Sequence, residues 1–235
     1  MERIDKIIAS QGKYSRSDVK GLIAKRRVTV DGEVIQSSSV KADPEKSRIT
    51  IDGVDITVKK HVYLMLNKPK GYVSATEDKE HQTVLELVPE QYRGRGMFPA
   101  GRLDRDTTGL MIITDDGVMA HNILAPKKHV QKVYHVELDI PVTEEMAAGF
   151  RAGVALNDGV CKEAKLVITG EKTAEVTLKE GRYHQIKRMF GCYGAKVTEL
   201  HRLAMGDLYL PDDLEPGTCR ELTEKELQLL QQQIE

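Results

Sequence analysis

Gly101-Arg102-Leu103-Asp104-Arg105-Asp106-Thr107-Thr108-Gly109-Leu110 runs without a break into Met111-Ile112-Ile113. The first stretch crowds two arginines, two aspartates and two threonines between glycines; the second continues Leu110 as an apolar strand. A polar loop feeding a buried strand is where a rigid scaffold can hold a reactive group. Taken alone, a charged loop of this kind reads better as an exposed turn with solvated charges, so its neighbours decide.

Strand patterns dominate on both sides of it. Upstream, Val62-Tyr63-Leu64-Met65-Leu66 has the pattern of a buried strand, and Asn67-Lys68-Pro69-Lys70-Gly71 follows as a turn presenting two lysines. Residues 77–96 read as a charged excursion with a short helix near 84–88, closing on the flexible basic stretch Arg93-Gly94-Arg95-Gly96. Downstream come a turn at Asp115-Asp116-Gly117, a helix over 118–124, and a basic loop, Pro126-Lys127-Lys128-His129. Residues 132–138 alternate as a strand, Thr143 caps a helix containing Met146 and Phe150, and 166–169 with 174–178 form a strand pair. Ile186, Met189 and Phe190 stand at helical spacing as a core stripe, leaving Arg182, Lys187 and Arg188 beside His184 and Gln185 as a polar wall. A strand over 197–203 and an acidic, glutamine-rich helix over 222–232 end the chain. Helices are interspersed without strict alternation, which predicts an α+β body with a mixed, mainly antiparallel sheet. The chain contains no G-x-G-x-x-G, G-x-x-x-x-G-K-[ST] or G-x-S-x-G, so dinucleotide, nucleoside triphosphate and hydrolase-elbow readings lack support.

The N-terminal quarter has a different texture. Ile4, Ile7 and Ile8 mark one face of a first helix that Gly12 ends; Ser15 caps a second, with Asp18 at its third position and Val19, Leu22 and Ile23 buried. Asp31-Gly32 and Asp52-Gly53 each sit between short β-branched runs, the signature of tight hairpins. Arg3, Lys13, Arg16, Lys20, Lys25, Arg26 and Arg27 can gather near one surface and contact phosphates without reading bases.

Charge supports the division. The chain of 235 residues has a net charge of −1, yet residues 1–60 carry 13 Lys+Arg against 9 Asp+Glu, and the remainder 22 against 27. A basic head on a mildly acidic body suits a polyanionic partner. With 40% hydrophobic and 30% charged residues, the composition is that of a soluble globular protein. No apolar run reaches membrane-spanning length, and the N-terminus is not of signal-peptide type. The three cysteines are scattered and odd in number, as reduced thiols of a cytoplasmic protein, and neither they nor the seven histidines show metal-ligand spacing. No membrane partner, metal or cofactor is expected.

The head, residues 1–59, resembles the alpha-L RNA-binding module of ribosomal small-subunit protein S-four, on Arg3-Ile4-Asp5-Lys6, Ser15-Arg16-Ser17 and Val28-Thr29-Val30-Asp31-Gly32. The body, residues 61–235, resembles the pseudouridine synthases, in particular the bacterial ribosomal RNA group, the RsuA group. Four separated stretches carry that likeness: Asn67-Lys68-Pro69-Lys70-Gly71, the 101–110 loop, Lys132-Val133-Tyr134, and the run from Glu180 through His184 to Met189. The resemblance implies a pseudouridine synthase catalytic domain with Asp104 as catalytic aspartate, Tyr134 as active-site tyrosine and Lys187 as basic partner of the aspartate. Many relatives outside the group carry arginine at the Lys187 position, so the charge is kept and the bidentate fork is lost. Arg102 stands where relatives fill the gap left by a flipped base; Asp106 lies at a variable position and receives no chemistry. Arg182, Arg188, Lys68 and the head residues Arg3, Arg16, Lys20, Lys25, Arg26 and Arg27 are expected to bind RNA. The implied reaction is isomerisation of uridine to pseudouridine in 16S ribosomal RNA, at uridine 516, by a monomer acting on the RNA or on a small-subunit assembly intermediate. The alternatives are a synthase acting on 23S RNA and a non-catalytic RNA-binding assembly factor.

Overall fold

The structure is a computed structural model that describes residues 1–125 and 130–232; the basic loop at 126–129 lies outside the described residues. The chain divides into two compact units, one of residues 1–62 with 88–97, the other of residues 63–87 with 98–235.

The first unit builds α1 (Ile4–Ala9), α2 (Arg16–Ala24) and a sheet of β1 (Val28–Val30), β2 (Glu33–Val34), β3 (Ile49–Ile51) and β4 (Val54–Asp55), in the order β2-β1-β3-β4. Ser15 opens α2 through a reciprocal capping box with Asp18. Both hairpin turns take φ > 0 at two successive residues, Asp31 and Gly32 at +52° and +88°, Asp52 and Gly53 at +54° and +78°. This conformation matches the twist of the flanking strands, and Asp-Gly adopts it at low cost. Ile4, Ile7, Ile8, Val19, Leu22 and Ile23 pack against Val28, Ile49 and Ile51 in one core.

Residues 88–97 cluster with this unit, and they are not the loose basic stretch that the sequence suggests. Arg95 donates to Gln11 Oε1 at 3.1 Å and to the carbonyls of Lys59 at 3.0 Å and Lys60 at 3.1 Å. A Cβ on Gly94 would stand 2.4 Å from the Gly12 carbonyl oxygen, so only glycine permits this approach.

The second unit is a nine-stranded sheet flanked by helices. Its main strands are β5 (Tyr63–Lys68), β6 (Thr108–Thr114), β7 (Lys132–Leu138), β8 (Lys165–Ile168), β9 (Thr173–Leu178), β10 (Val197–Met205) and β11 (Cys219–Glu221). They run in the order β8-β9-β7-β10-β6-β5-β11. The helices are α3 (Gly117–Leu124), α4 (Glu144–Ala152), α5 (Gln185–Gly191) and α6 (Glu224–Gln232). One core joins α4 and α5 to β7, β8 and β9; a second joins α3 and α6 to β5 and β6. Thr143 caps α4, its side chain accepting from Met146 N.

Among the described residues, every strand pairing in this sheet is antiparallel except one, β10 against β6, where His201 faces Thr108 and Arg202 faces Gly109. The mixed, mainly antiparallel sheet is the one the strand pattern predicts. Gly109 makes the joint possible: with φ +100°, it occupies a place where a Cβ would lie 2.3 Å from the Arg202 carbonyl oxygen. Among the described residues, no helix is long and apolar enough to cross a membrane.

Candidate active site

The 101–107 loop enters β6 beside the parallel joint, and polar side chains of the second unit hold it from below. Lys68, the last residue of β5, is fully buried, and its ammonium donates to the carbonyls of Asp104 at 3.0 Å, Thr107 at 2.8 Å, Arg105 at 3.3 Å and Pro69 at 3.2 Å. Burial lowers its pKa to about 8, so it remains a cation at neutral pH. Ser74 adds a second clamp: its hydroxyl donates to Leu103 O at 2.7 Å and accepts from Leu103 N at 2.9 Å.

On this scaffold Asp104 faces the first turn of α5. Its Oδ2 lies 3.3 Å from Lys187 Nζ and its Oδ1 lies 3.4 Å from His184 Nε2. Lys187 also reaches Asp106 Oδ1 at 2.6 Å, so one ammonium serves two carboxylates. Burial works against its charge, but the Asp106 hydrogen bond and both carboxylates raise Lys187 above the ordinary lysine value. The two carboxylates differ in setting despite the shorter Asp106 contact. The Asp106 side chain is 68% exposed, against 28% for Asp104, and of the two only Asp104 lines the adjoining cleft.

That cleft holds about 410 Å³ and is walled by the 101–107 loop, β7, β10 and the 180–187 turn. Tyr134, half-buried on β7, also lines it. Tyr134 pairs with Arg202 across the β7–β10 ladder, and Lys132 lies two residues before it on the same face of β7. His184 begins α5 in the left-handed conformation, φ +47° and ψ +35°, and stacks on the exposed Tyr183 with ring centroids 3.9 Å apart. A non-glycine residue in that conformation is strained. Gln185, buried behind it, donates to Glu180 Oε1 at 2.6 Å and accepts from Arg182 N at 3.0 Å, fixing the turn.

The structure therefore brings Asp104, Lys187, Tyr134, Arg102 and Arg182 to one cleft. Arg102 is exposed on its wall. Arg182 and Arg188 both pair with the Asp158 carboxylate, which they hold far below the usual carboxylate range. Lys68 requires correction: an ammonium with no exposed surface, committed to four carbonyls, does not bind RNA but ties the loop together. Among the head cations, Arg3 pairs with Asp5 and Arg27 with Asp52, both bidentate. Arg16, Lys20, Lys25 and Arg26 are exposed, and no ion pair engages them among the described residues. Sequence reasoning missed Ser74, Lys132 and Arg202. Lys132 stands in a motif that gives it no role of its own, and Arg202 carries one signal, a lone cation in the apolar alternation of β10.

Comparison with known proteins assigns the class. A family model described as RNA pseudouridylate synthase matches residues 62–191, more than half of the chain, and an S4 domain model matches residues 2–47. The chain belongs to the RNA pseudouridine synthase family. It is 42% identical over 234 residues to the RNA pseudouridine synthase YtzG of Bacillus subtilis (strain 168), covering 97% of this chain and 98% of the relative. It is also 42% identical over 228 residues to the ribosomal small subunit pseudouridine synthase A of Escherichia coli (strain K12), covering 96% and 98%. A crystal structure of a pseudouridylate synthase superimposes with a TM-score of 0.69 at 38% identity, covering 98% of this chain and 100% of that one.

Proposed function

We propose that this protein converts uridine 516 of 16S ribosomal RNA to pseudouridine, with Asp104 as the catalytic carboxylate. The observation that carries the reading is the cleft lined by both Asp104 and Tyr134, in which Asp104 meets Lys187 at 3.3 Å. The small-subunit assignment draws on relatives of 42% identity that are named as small-subunit enzymes.

The chemistry follows from the residues. A uridine within a stack is shielded, so the base must flip out, at a cost of a few kcal/mol. Arg102, exposed on the cleft wall, fills the vacated space. Asp104 then acts at C1′ of the ribose, at C6 of the base, or by taking a proton. Lys187, 3.3 Å away, supplies the countercharge to the half-buried Asp104 carboxylate. Tyr134 offers its ring to the base and its hydroxyl to proton handling. Product and substrate are isomers, so the conversion has no net demand for a redox partner or a nucleotide.

Residues 1–59 form the RNA-binding domain and residues 61–235 the catalytic domain. The protein acts as a cytoplasmic monomer on 16S RNA or on a small-subunit assembly intermediate. Carbodiimide mapping of 16S and 23S RNA from cells with and without the gene tests the proposal. A stop lost in 16S alone is expected; a stop lost only in 23S overturns the small-subunit assignment.

A further inference from the structure

The floor of the cleft holds two cations to which the proposed chemistry gives no task. Arg202 is 3% exposed, and its Nε donates to the Leu110 carbonyl at 2.7 Å, which pins the guanidinium under the loop. Its Nη2 is buried with no hydrogen-bond partner. The hydroxyl of Thr107, a residue 1% exposed, is also unpartnered. The Lys132 ammonium makes no hydrogen bond or ion pair among the described residues, and all three residues line the cleft. A buried guanidinium nitrogen without an acceptor costs free energy, as does a second cation next to it. Such an arrangement suits an acceptor that arrives with the substrate.

We propose that Arg202 and Lys132 hold the carbonyl oxygens of uracil while the base is detached from its sugar, with Thr107 as a third donor. This rests on the pseudouridine synthase reading and extends it to the part of the reaction after the glycosidic bond has broken. With Asp104 attacking C1′, the C1′–N1 electron pair stays on the ring and spreads from N1 to the two carbonyl oxygens, and the new bond is C1′–Oδ. After the ring turns, C5 gives an electron pair to C1′, the C1′–Oδ bond breaks and restores the carboxylate, C5 loses its proton and N1 gains one. Between these two events the base is an anion that must neither leave nor be protonated. Fixed donors aimed at that charge are the strongest means of stabilising it.

The electrostatics separate this floor from the opposite wall. Lys187 is compensated by two carboxylates, whereas burial and the neighbouring Arg202 together bring Lys132 down to about 8. Position favours a base over a phosphate, because Arg202 lies directly across the ladder from Tyr134, whose ring is offered to the base.

The test uses the full chain and two probes, uracil and 5-nitrouracil, whose ring is ionised near neutral pH. Each is titrated by calorimetry, and isomerisation is followed by tritium release from RNA containing 5-tritiated uridine. The wild-type protein is expected to bind 5-nitrouracil at least tenfold more tightly than uracil. Lys132→Met should abolish that preference and lower kcat at least tenfold with little change in KM for RNA, and Lys132→Arg should restore both. Arg202→Lys should lose the preference while keeping the wild-type unfolding temperature within a few degrees. A Lys132→Met protein that keeps the preference, or that turns over at the wild-type rate, overturns the inference, as does displacement of 5-nitrouracil by inorganic phosphate at comparable concentration. If the wild-type protein itself releases no tritium, the functional reading falls and this inference with it; if only the variants behave like wild type, the inference alone falls.

Discussion

The buried ammonium of Lys68 donates to the main-chain carbonyl of Asp104 at 3.0 Å. A cation from the end of one strand thus fixes the backbone that presents the Asp104 carboxylate, and three further carbonyls share it. Lys68→Met fills the volume but leaves those acceptors buried, and the expected loss is about 3 kcal/mol of unfolding free energy. Guanidinium denaturation measures it. Tritium release should fall beyond the folded fraction, because the loop loses its geometry, while RNA affinity stays unchanged. A drop in affinity alone would return Lys68 to the RNA-binding set.

Asp104→Asn keeps the shape of the side chain and removes its charge, and with it the proposed nucleophile or base. Isomerisation should fall by at least a thousandfold, with RNA binding retained in a filter or gel assay. Tritium release at the wild-type rate would remove Asp104 from the chemistry.

Lys187 discriminates between its two carboxylates. Lys187→Met should lower kcat at least a hundredfold, since it leaves a half-buried Asp104 without its cation. Asp106→Asn should change kcat less than about threefold, because an exposed pair contributes little. Equal losses in the two variants would make Asp106 a working member of the site.

Salt dependence tests the head. Arg16, Lys20, Lys25 and Arg26 have no carboxylate partners among the described residues. Changing all four to Gln should therefore lower the slope of log affinity against log salt by about 0.7 for each phosphate that is no longer neutralised. Arg3→Gln and Arg27→Gln break pairs with Asp5 and Asp52 and should act mainly on the stability of the head. An unchanged slope in the fourfold variant would place the phosphate-binding surface elsewhere.

The pairing of Arg220 with Glu226 predicts an acid response. Hydrogen bonds from Arg220 hold Glu226 at about 2, below its ordinary value of 4.5. The folded value is the lower one, so the stabilisation is complete above pH 4.5 and is lost as pH falls towards 2. Arg220 is 37% exposed, which reduces the contribution to about 1 kcal/mol. Glu226→Gln should flatten the dependence of urea-unfolding free energy on pH across that window and leave the remaining pH dependence in place.

Local rules made much of the fold legible. The Ser15–Asp18 box, the Thr143 cap and the two Asp-Gly turns are each satisfied within a few residues of chain, and all form as their residues dictate. The Ile186, Met189 and Phe190 stripe is buried for the same reason. Lys68 is deceptive because Pro69 and Gly71 mark a turn, and nothing local reveals that the preceding lysine closes a strand buried on both faces. Arg202 is hidden because its role depends on β6, some ninety residues earlier in the chain, coming alongside in parallel. Arg95 reads as loose because its acceptors, Gln11, Lys59 and Lys60, are remote in sequence. Polar residues whose partners lie far along the chain carry no local signature, and the misjudged residues are of that kind.

The parallel joint has a consequence for the birth of the protein. Strand β10 seats between β6 and β7, although it is synthesised some sixty residues after the later of them. Pairings so remote in sequence form late, because the loop entropy must be met before the contacts repay it. Until β10 is in place, Arg202 is absent from beneath the loop, Tyr134 lacks its neighbour across the ladder, and Gly109 has no strand to admit. By this ordering the cleft is completed only after β10 has been made, whereas the strands of the head's sheet, residues 28–55, are available from the start of synthesis.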